Sequence, residues 1–214
     1  MNMYVKNGIK YLIHYIKNYN YNTYMDLFYT TEKYPKMKIL EDNYEIIKNE
    51  IPKFIFENIK IKRTRDDWDE KAQDLIKSLE HNKEWIFSWQ AEDRWFSFPL
   101  MYKNHPIGLA EEVCPNTIKI LKSLGNIKTC GFTLLYPKSS LGIHTDDVGP
   151  NFNSMALNML LTGKNSDLSI YHNNVKYTYS HEHGKAVIFN SELFHSASNN
   201  GDTNRVILYI DFEI

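Results

Sequence analysis

Three residues, His144, Asp146 and His195, are of the types that bind first-row transition metals. In an extended segment alternate side chains point to one face, so His144 and Asp146 can converge on one ion while Thr145 and Asp147 face away. His195 follows about 50 residues later, which is enough chain for a sheet to cross over and return. Two imidazoles and one carboxylate on one side of an ion leave the opposite positions open for oxygen and a chelating co-substrate. This arrangement is typical of non-heme iron(II) oxygenases and fits zinc less well.

Arg205 opens the apolar segment RVILYIDF, ten residues after His195. We expect this segment to form a strand beside the strand that leads to the metal. A guanidinium there can hold a carboxylate through two parallel charge-assisted hydrogen bonds, a geometry that lysine does not match. 2-Oxoglutarate needs such an anchor for its distal carboxylate while its keto-acid end chelates iron. The sequence therefore predicts a site for Fe(II), 2-oxoglutarate and O2.

Composition limits the class of protein. The 214 residues suit one domain with a single core. Lys and Arg (25) nearly balance Asp and Glu (26) and are scattered, so nothing predicts a nucleic-acid groove. No apolar run approaches the roughly 18 residues of a membrane-spanning helix, and the two cysteines suggest reduced thiols. We expect a cytoplasmic protein with no nucleic-acid or membrane partner, and the oligomeric state stays open.

The periodicity of apolar residues changes along the chain from helical to β-type. Helical spacing predicts one helix through 44–51 that ends at Pro52, and another through 68–79. A third is predicted in CPNTIKILKSLG, with Pro115 near its first turn and Gly125 as its stop. Short β-type segments follow, in the order GFTLLYP, SMALNMLLTG, LSIYH, VKYTYS, KAVIFN and RVILYIDF. This pattern predicts an α+β fold that is mainly β, a jelly-roll double sheet with N-terminal helices packed outside, and leaves sandwich and closed barrel as alternatives.

The chain also resembles a known family, the aspartyl/asparaginyl β-hydroxylases and the bacterial relatives that hydroxylate free proline. The resemblance begins around YPKMKILEDNYEIIKNEI, continues through WFSFPL and CPNT, and is clearest in FTLLYPKSSLGIHTD, GKAVIFNSELFHSASN and NRVILYIDF. It covers roughly residues 34–212 and implies a double-stranded β-helix. We expect one oxygenase domain over 34–214, with a helical part (34–125) and a jelly-roll part (126–214), preceded by an N-terminal helical extension (1–33).

Residue by residue, the resemblance implies that His144 and His195 bind iron and that Arg205 binds the oxoglutarate carboxylate. It also implies secondary contacts to the co-substrate from three residues, Trp95, Thr133 and Asn158. The remaining histidines carry less signal. His181 and His183 stand before a glycine turn, where we expect a solvated loop rather than a second metal site.

Two departures from the family pattern concern the metal and the co-substrate. Animal members hold iron with two histidines and no carboxylate, whereas this chain offers Asp146 and is similar to the ordinary two-histidine, one-carboxylate site. Asn158 stands where the family often has histidine, and Ala156 where it often has arginine. Contacts to oxoglutarate on that strand are therefore expected to differ from those of the family.

Together these features predict an Fe(II)/2-oxoglutarate-dependent dioxygenase that hydroxylates an Asp, Asn or Pro side chain, in a polypeptide or a free amino acid. Two alternatives stay open at this point. One is a non-catalytic jelly-roll module that binds a carboxylated ligand. The other is a cupin-type dioxygenase that attacks its substrate directly and needs neither Arg205 nor 2-oxoglutarate. Release of succinate that depends on oxoglutarate discriminates among the three.

Overall fold

The computed structural model of the protein describes residues 27–63, 72–88, 94–146 and 154–214. Short helices occupy the N-terminal half of the described chain and the strands follow. The helices are α1 (Lys38–Asp42), α2 (Tyr44–Asn49), α3 (Ala72–Ser78), α4 (Ala110–Val113) and α5 (Pro115–Lys122), with 3-10 turns at Pro35–Met37 and Phe56–Asn58. The predicted helices that end before Pro52 and begin at Pro115 are confirmed. The one predicted through 68–79 is present as α3, and its first turn lies outside the described residues.

Eleven strands are described, and their pairings within two sheets are antiparallel. The larger sheet has the order β1-β2-β4-β11-β6-β9, with β3 beside β2, and the smaller sheet has the order β5-β10-β7-β8. The strands are β1 (Ile86–Phe87), β2 (Trp95–Tyr102), β3 (His105–Pro106), β4 (Ile127–Leu135), β5 (Ser139–His144), β6 (Ser154–Thr162), β7 (Ser166–His172), β8 (Val175–Ser180), β9 (Ala186–Phe189), β10 (Phe194–Asn199) and β11 (Arg205–Glu213). The predicted mainly β fold with a jelly-roll core is confirmed.

The larger sheet is covered on both faces, which explains its composition. Every residue of β2 is buried, and so is nearly all of β6. Such continuous apolar strands are expected where a sheet has no solvent face. One face packs against helical residues such as Leu40, Ile47 and Leu121, and the other face turns toward the smaller sheet, where Leu168 and Phe189 pack in the core.

The strand pattern differs from the predictions in two places. The predicted helical part, 34–125, also contains β1, β2 and β3, and β2 extends the larger sheet by pairing with β4. Its sequence, WFSFPLMY, lacks the alternation that marks a half-buried strand. Strands β5 and β10 were not among the predicted segments, because SSLGIH and FHSASN are short and rich in polar residues.

The predicted N-terminal helical extension, 1–33, lies mostly outside the described residues. Residues 27–33, its described part, contain no helix. Tyr29 instead exchanges two backbone hydrogen bonds with Ile188 of β9, at 2.7 and 2.8 Å. This segment therefore covers part of the edge of the larger sheet, a position that is otherwise open to pairing with another chain. Within the described ranges, no helix has the length and apolar character required to cross a bilayer.

Candidate active site

The histidines of the predicted metal site lie side by side on neighbouring strands of the smaller sheet. His144 ends β5 and pairs directly with His195 of β10, and their ring centroids are 4.3 Å apart. Asp146 follows β5 by two residues, and its backbone N–H donates to the carbonyl of Ser191 at 3.0 Å. One ligand atom from each of the three residues lies within 4.8 Å of the other two, so the cluster could hold one ion. Asp147, which alternation excluded as a ligand, lies outside the described residues.

Hydrogen bonds to the backbone set the tautomer of both imidazoles. Nδ1 of His144 lies 2.8 Å from the carbonyl of Gly142, and Nδ1 of His195 lies 2.9 Å from the carbonyl of Leu193. A carbonyl only accepts, so each Nδ1 donates and each Nε2 keeps a lone pair for a metal. Both Nε2 atoms lie 3.7 Å from an oxygen of Asp146. The two Nε2 atoms and the Asp146 carboxylate therefore point toward one position, where a metal ion could bind.

Arg205 reaches this region from the opposite sheet. The expectation that its strand lies beside the strand leading to the metal is wrong, because β11 pairs with β4 and β6 in the larger sheet. Strands β9, β10 and β11 alternate between the two sheets, as successive strands of a jelly roll do. Arg205 and the metal-type cluster consequently line the same cavity, one from each sheet.

The guanidinium of Arg205 is buried, with 1% of the residue exposed. Its Nε donates to the hydroxyl of Ser166 at 2.7 Å, whereas its Nη2 has no hydrogen-bond partner among the described residues. Burial lowers the pKa of Arg205 to about 10, with Asp167 acting in the opposite direction, so the group stays charged at neutral pH. A buried cationic nitrogen without a partner is costly, and its position on a cavity wall indicates an anionic ligand.

The cavity between the sheets has a volume of about 180 Å³. The three residues predicted to make secondary contacts, Trp95, Thr133 and Asn158, all line it together with Arg205. Oδ1 of Asn158 is buried and has no hydrogen-bond partner in the described part of the chain. Ala156, on the same strand, packs in the apolar core between the sheets. The structure thus brings the predicted metal, co-substrate and secondary residues to one cavity.

Comparison with known proteins decides the family. The sequence model described as aspartyl/asparaginyl β-hydroxylase matches residues 41–214. The chain belongs to this family. It is therefore an oxidoreductase of the hydroxylase type, and the resemblance seen in its sequence is confirmed.

Two relatives of this β-hydroxylase family member share about a quarter of its residues. It is 28% identical over 201 residues to an uncharacterised protein of Acanthamoeba polyphaga mimivirus, an alignment that covers 88% of this chain and 70% of the relative. It is 24% identical over 187 residues to the ornithine lipid ester-linked acyl 2-hydroxylase of Rhizobium tropici, which covers 86% of this chain and 59% of that protein. A solved oxidoreductase of the 2OG-Fe(II) oxygenase family from Burkholderia pseudomallei superposes with a TM-score of 0.47 at 11% identity, over 68% of this chain and 79% of that one.

Tyr209 of this β-hydroxylase family member links the two sheets at the metal-type cluster. Its hydroxyl donates to Oδ2 of Asp146 at 2.8 Å. Burial and the charge of Asp146 raise the pKa of the Tyr209 phenol well above its usual range, so the phenol remains a donor. Partners of this kind fix the orientation of a ligand carboxylate. The sequence signal that could have identified Tyr209 was its spacing from Arg205, since residues four apart on a strand share a face.

His181 is also placed differently from its prediction. The expected solvated loop is wrong for this residue, because His181 is buried and its Nδ1 lies 3.0 Å from the hydroxyl of Ser166. The hydroxyl of Ser166 also accepts the hydrogen bond from Nε of Arg205. Ser166 therefore connects His181 to the guanidinium. Burial, and then the charge of Arg205, lower the pKa of His181 to about 3. The imidazole is therefore neutral throughout the physiological range.

The buried His181 predicts a specific loss of stability in acid. Its pKa is about 3 in the folded protein and 6.5 when unfolded, so below pH 6.5 the unfolded state takes up a proton that the folded state excludes. We expect the free energy of unfolding to fall by about 2 kcal/mol more in the wild type than in His181→Asn on going from pH 7 to pH 5. Urea titrations at both pH values measure this. Burial raises the pKa of Asp211 to about 6, which acts in the opposite direction in both proteins and cancels in the comparison. Equal pH dependence in the two proteins would contradict the buried, neutral state of His181.

Three charged residues of the cavity wall were not predicted: Arg63, Lys128 and Asp211. Nε of Arg63 donates to Ser88 at 3.2 Å, and its guanidinium lies 5.3 Å from the ring centroid of Trp95. Asp211 could have been found by its even spacing from Arg205 on one strand. Arg63 and Lys128 carry no motif and reach the cavity through the tertiary fold.

Proposed function

We propose that this chain is an Fe(II)/2-oxoglutarate-dependent dioxygenase in which His144, Asp146 and His195 bind iron and Arg205 binds the distal carboxylate of 2-oxoglutarate. Family membership supports the hydroxylase activity, and the site geometry supports the two cofactors. The observation that carries the proposal is the buried guanidinium of Arg205, whose unpartnered Nη2 shares a cavity with the metal-type cluster. We assign the activity to residues 34–214 as one oxygenase domain.

The donor set fits iron(II). Two neutral imidazoles and one carboxylate suit a non-heme ferrous ion and leave open positions for a bidentate keto acid and O2. When bound, iron(II) would activate O2, so that 2-oxoglutarate and a substrate C–H bond become succinate, CO2 and a C–OH group. The protein holds the imidazoles through Gly142 and Leu193 and orients the carboxylate through Tyr209.

The secondary contacts to 2-oxoglutarate are part of the same proposal. Trp95 and Thr133 lie on β2 and β4, beside Arg205 in the larger sheet. Asn158 lies on β6 and offers an amide, a group that can donate to a carboxylate. All three line the cavity between the arginine and the metal-type cluster. We infer that they enclose the co-substrate and exclude water from it.

The two alternatives to oxoglutarate chemistry explain the cavity less well. A cupin-type enzyme that attacks its substrate directly would leave Nη2 of Arg205 buried without an anion. A non-catalytic module would have no use for two imidazoles held with their Nε2 lone pairs on one point.

We propose an Asp, Asn or Pro side chain as the target, in a polypeptide or a free amino acid. The Rhizobium relative is named for hydroxylating the ester-linked acyl chain of ornithine lipid, so the proposed amino-acid target rests on the family resemblance and not on that name.

One anaerobic titration tests the proposed function. Apo protein is mixed with iron(II) and then 2-oxoglutarate, and we expect the visible charge-transfer band of the iron-bound keto acid to require both additions. Admitting air should then convert 2-oxoglutarate to succinate. The absence of a band with both components present, or succinate formation independent of iron, would reject the assignment. Zinc in place of iron serves as the control, since it occupies the site without giving the band.

A further inference from the structure

The side chain of Arg205 contacts a buried polar pair, Ser166 and His181, on its way to the cavity. Its Nε donates to Oγ of Ser166 at 2.7 Å, and its Nη2 has no hydrogen-bond partner among the described residues. Neither Ser166 nor His181 is among the described residues that line the cavity, so both act on a bound ligand only through the arginine. Because Nε is already bonded to Ser166, the two Nη nitrogens form the edge of the guanidinium that can hold a carboxylate.

Backbone pairing places the side chains of Ser166 and His181 together. Ser166 begins β7, and the next residue, Asp167, pairs with Ser180 at the end of β8. The backbone N–H of His181 donates to the carbonyl of Ser166 at 2.8 Å, which extends this pairing by one residue. Oγ of Ser166 and Nδ1 of His181 lie 3.0 Å apart, and both residues are buried. The pair therefore has a fixed position in the smaller sheet, across from the strand of Arg205.

The donors and acceptors of these three residues fit one direction. A guanidinium only donates, so Oγ of Ser166 accepts from Arg205 and its own hydrogen is left for another acceptor. Nδ1 of His181 can accept that hydrogen. Nδ1 also lies 3.1 Å from the carbonyl of Ser166, but this carbonyl already accepts from the backbone N–H of His181. With the lone pair on Nδ1, each donated hydrogen points away from the cation, an alignment in which successive hydrogen bonds strengthen one another.

The imidazole of His181 is costly to bury at this position. Its Nε2 is buried and has no hydrogen-bond partner in the described part of the chain. A leucine of similar volume would avoid that cost. Burial, and then the charge of Arg205, lower the pKa of His181, so the ring is neutral and Nδ1 keeps its lone pair. The contact that compensates for the cost is the one to the Ser166 hydroxyl.

We propose that Ser166 and His181 are positioning residues for the co-substrate: His181 orients the Ser166 hydroxyl, and the hydroxyl holds the guanidinium of Arg205 at one distance from the metal-type cluster. This inference rests on the proposed function and deepens it, because a guanidinium held at one distance selects the length of the keto diacid. A diacid that is one methylene longer, 2-oxoadipate, cannot both chelate the metal and meet the Nη nitrogens unless Arg205 moves.

The test is a titration of the anaerobic iron complex with 2-oxoglutarate and with 2-oxoadipate, since both carry the keto-acid end that gives the visible band. We expect the wild type to prefer 2-oxoglutarate by about 10- to 200-fold, the difference that one methylene makes in a rigid site. His181→Leu should weaken 2-oxoglutarate by about 10-fold and leave 2-oxoadipate nearly unchanged, because only the matched diacid uses the fixed position of the guanidinium. The rate of succinate release at saturating 2-oxoglutarate should stay the same, so the loss appears in KM and not in kcat.

Two further variants separate positioning from general packing. His181→Asn places an amide oxygen near the position of Nδ1 and should restore both the affinity and the preference. Ser166→Ala should weaken 2-oxoglutarate by about 10- to 100-fold, and adding His181→Leu should cause no further loss, because His181 acts through the Ser166 hydroxyl. His183→Leu, at an exposed histidine two residues along the chain, is the matched control and should behave as the wild type.

Wild-type affinity for 2-oxoglutarate in His181→Leu, or equal losses for the two diacids, would overturn the inference. Additive losses in the double variant would do the same. In these cases the wild-type band still supports the proposed function, whereas absence of the band in the wild type would reject that function and the inference with it. If His181→Leu does not fold, His181→Gln takes its place with the same expected results, because its amide reaches the position of Nε2 and leaves the Ser166 hydroxyl without its acceptor.

Discussion

Replacing Arg205 with methionine is expected to weaken binding of 2-oxoglutarate by on the order of 10²- to 10⁴-fold and to leave iron binding nearly unchanged. Two hydrogen bonds between charged groups are lost, each contributing about 1.5 to 3 kcal/mol. Methionine is of similar length and apolar, so it fills the buried position without leaving a charge there. The histidines proposed to bind iron lie in the smaller sheet, whereas Arg205 lies in the larger one.

Titration of 2-oxoglutarate into the anaerobic iron complex, followed by the visible band, measures the first effect. Cobalt(II) absorption measures metal binding independently of the co-substrate. Arg94→Met is the matched control, because Arg94 is an exposed arginine immediately before β2 of the larger sheet. Equal losses of metal and oxoglutarate affinity in Arg205→Met would show a general collapse of the cavity and count against the assigned role.

Replacing Asp146 with alanine is expected to lower iron(II) affinity by more than about 100-fold. Removing a residue that only orients a metal ligand costs about 10- to 100-fold, and Asp146 is proposed as a ligand itself. The remaining imidazoles keep their orientation, because their Nδ1 atoms bond to backbone carbonyls that the substitution does not touch. The variant should therefore fold and keep a weak two-histidine site.

Tyr209→Phe is the control for the Asp146 variant. It removes only the hydroxyl that donates to Oδ2 of Asp146, so its loss of iron affinity should stay within about 10- to 100-fold. Anaerobic titration with iron(II) or cobalt(II) gives both affinities. An Asp146→Ala protein that binds iron as tightly as the wild type would mean that the two histidines suffice and that Asp146 is not a ligand.

The site is divided between two sheets, and this division explains why the Arg205 and Asp146 variants should affect different ligands, 2-oxoglutarate and iron respectively. The metal-type cluster belongs to β5, β10 and the residues after β5, while Arg205, Tyr209 and Asp211 belong to β11. Packing between the sheets holds the two halves in register. Phe189 of the larger sheet, for example, lies edge-on to His195 with ring centroids 5.1 Å apart. Substitutions of Arg205 or of the metal-type residues should therefore alter the ligand of their own half first, whereas Tyr209 of β11 acts on the metal through Asp146.

The sequence by itself determined the parts of the site that depend on local geometry. His144 and Asp146 are two residues apart, and an extended backbone puts such residues on one face whatever surrounds them. The helix after Pro115 and the apolar strand from Arg205 likewise follow from short-range signals. These were predicted and are present in the structure. The types of the three metal-type residues and of the arginine were enough to predict the proposed chemistry.

Only the tertiary structure decided which groups meet across the cavity. Sequence distance does not tell which strands will be neighbours, so Arg205 was expected beside the strand that leads to His195. Its strand β11 is instead separated from that strand, β9, by β6, and it lies in the sheet opposite β10, which carries His195. The hydroxyl of Tyr209 and the carboxylate of Asp146 are 63 positions apart and gain a role only when the sheets stack. Side-chain alternation is a property of one strand, whereas contact between sheets depends on the packing of the whole core.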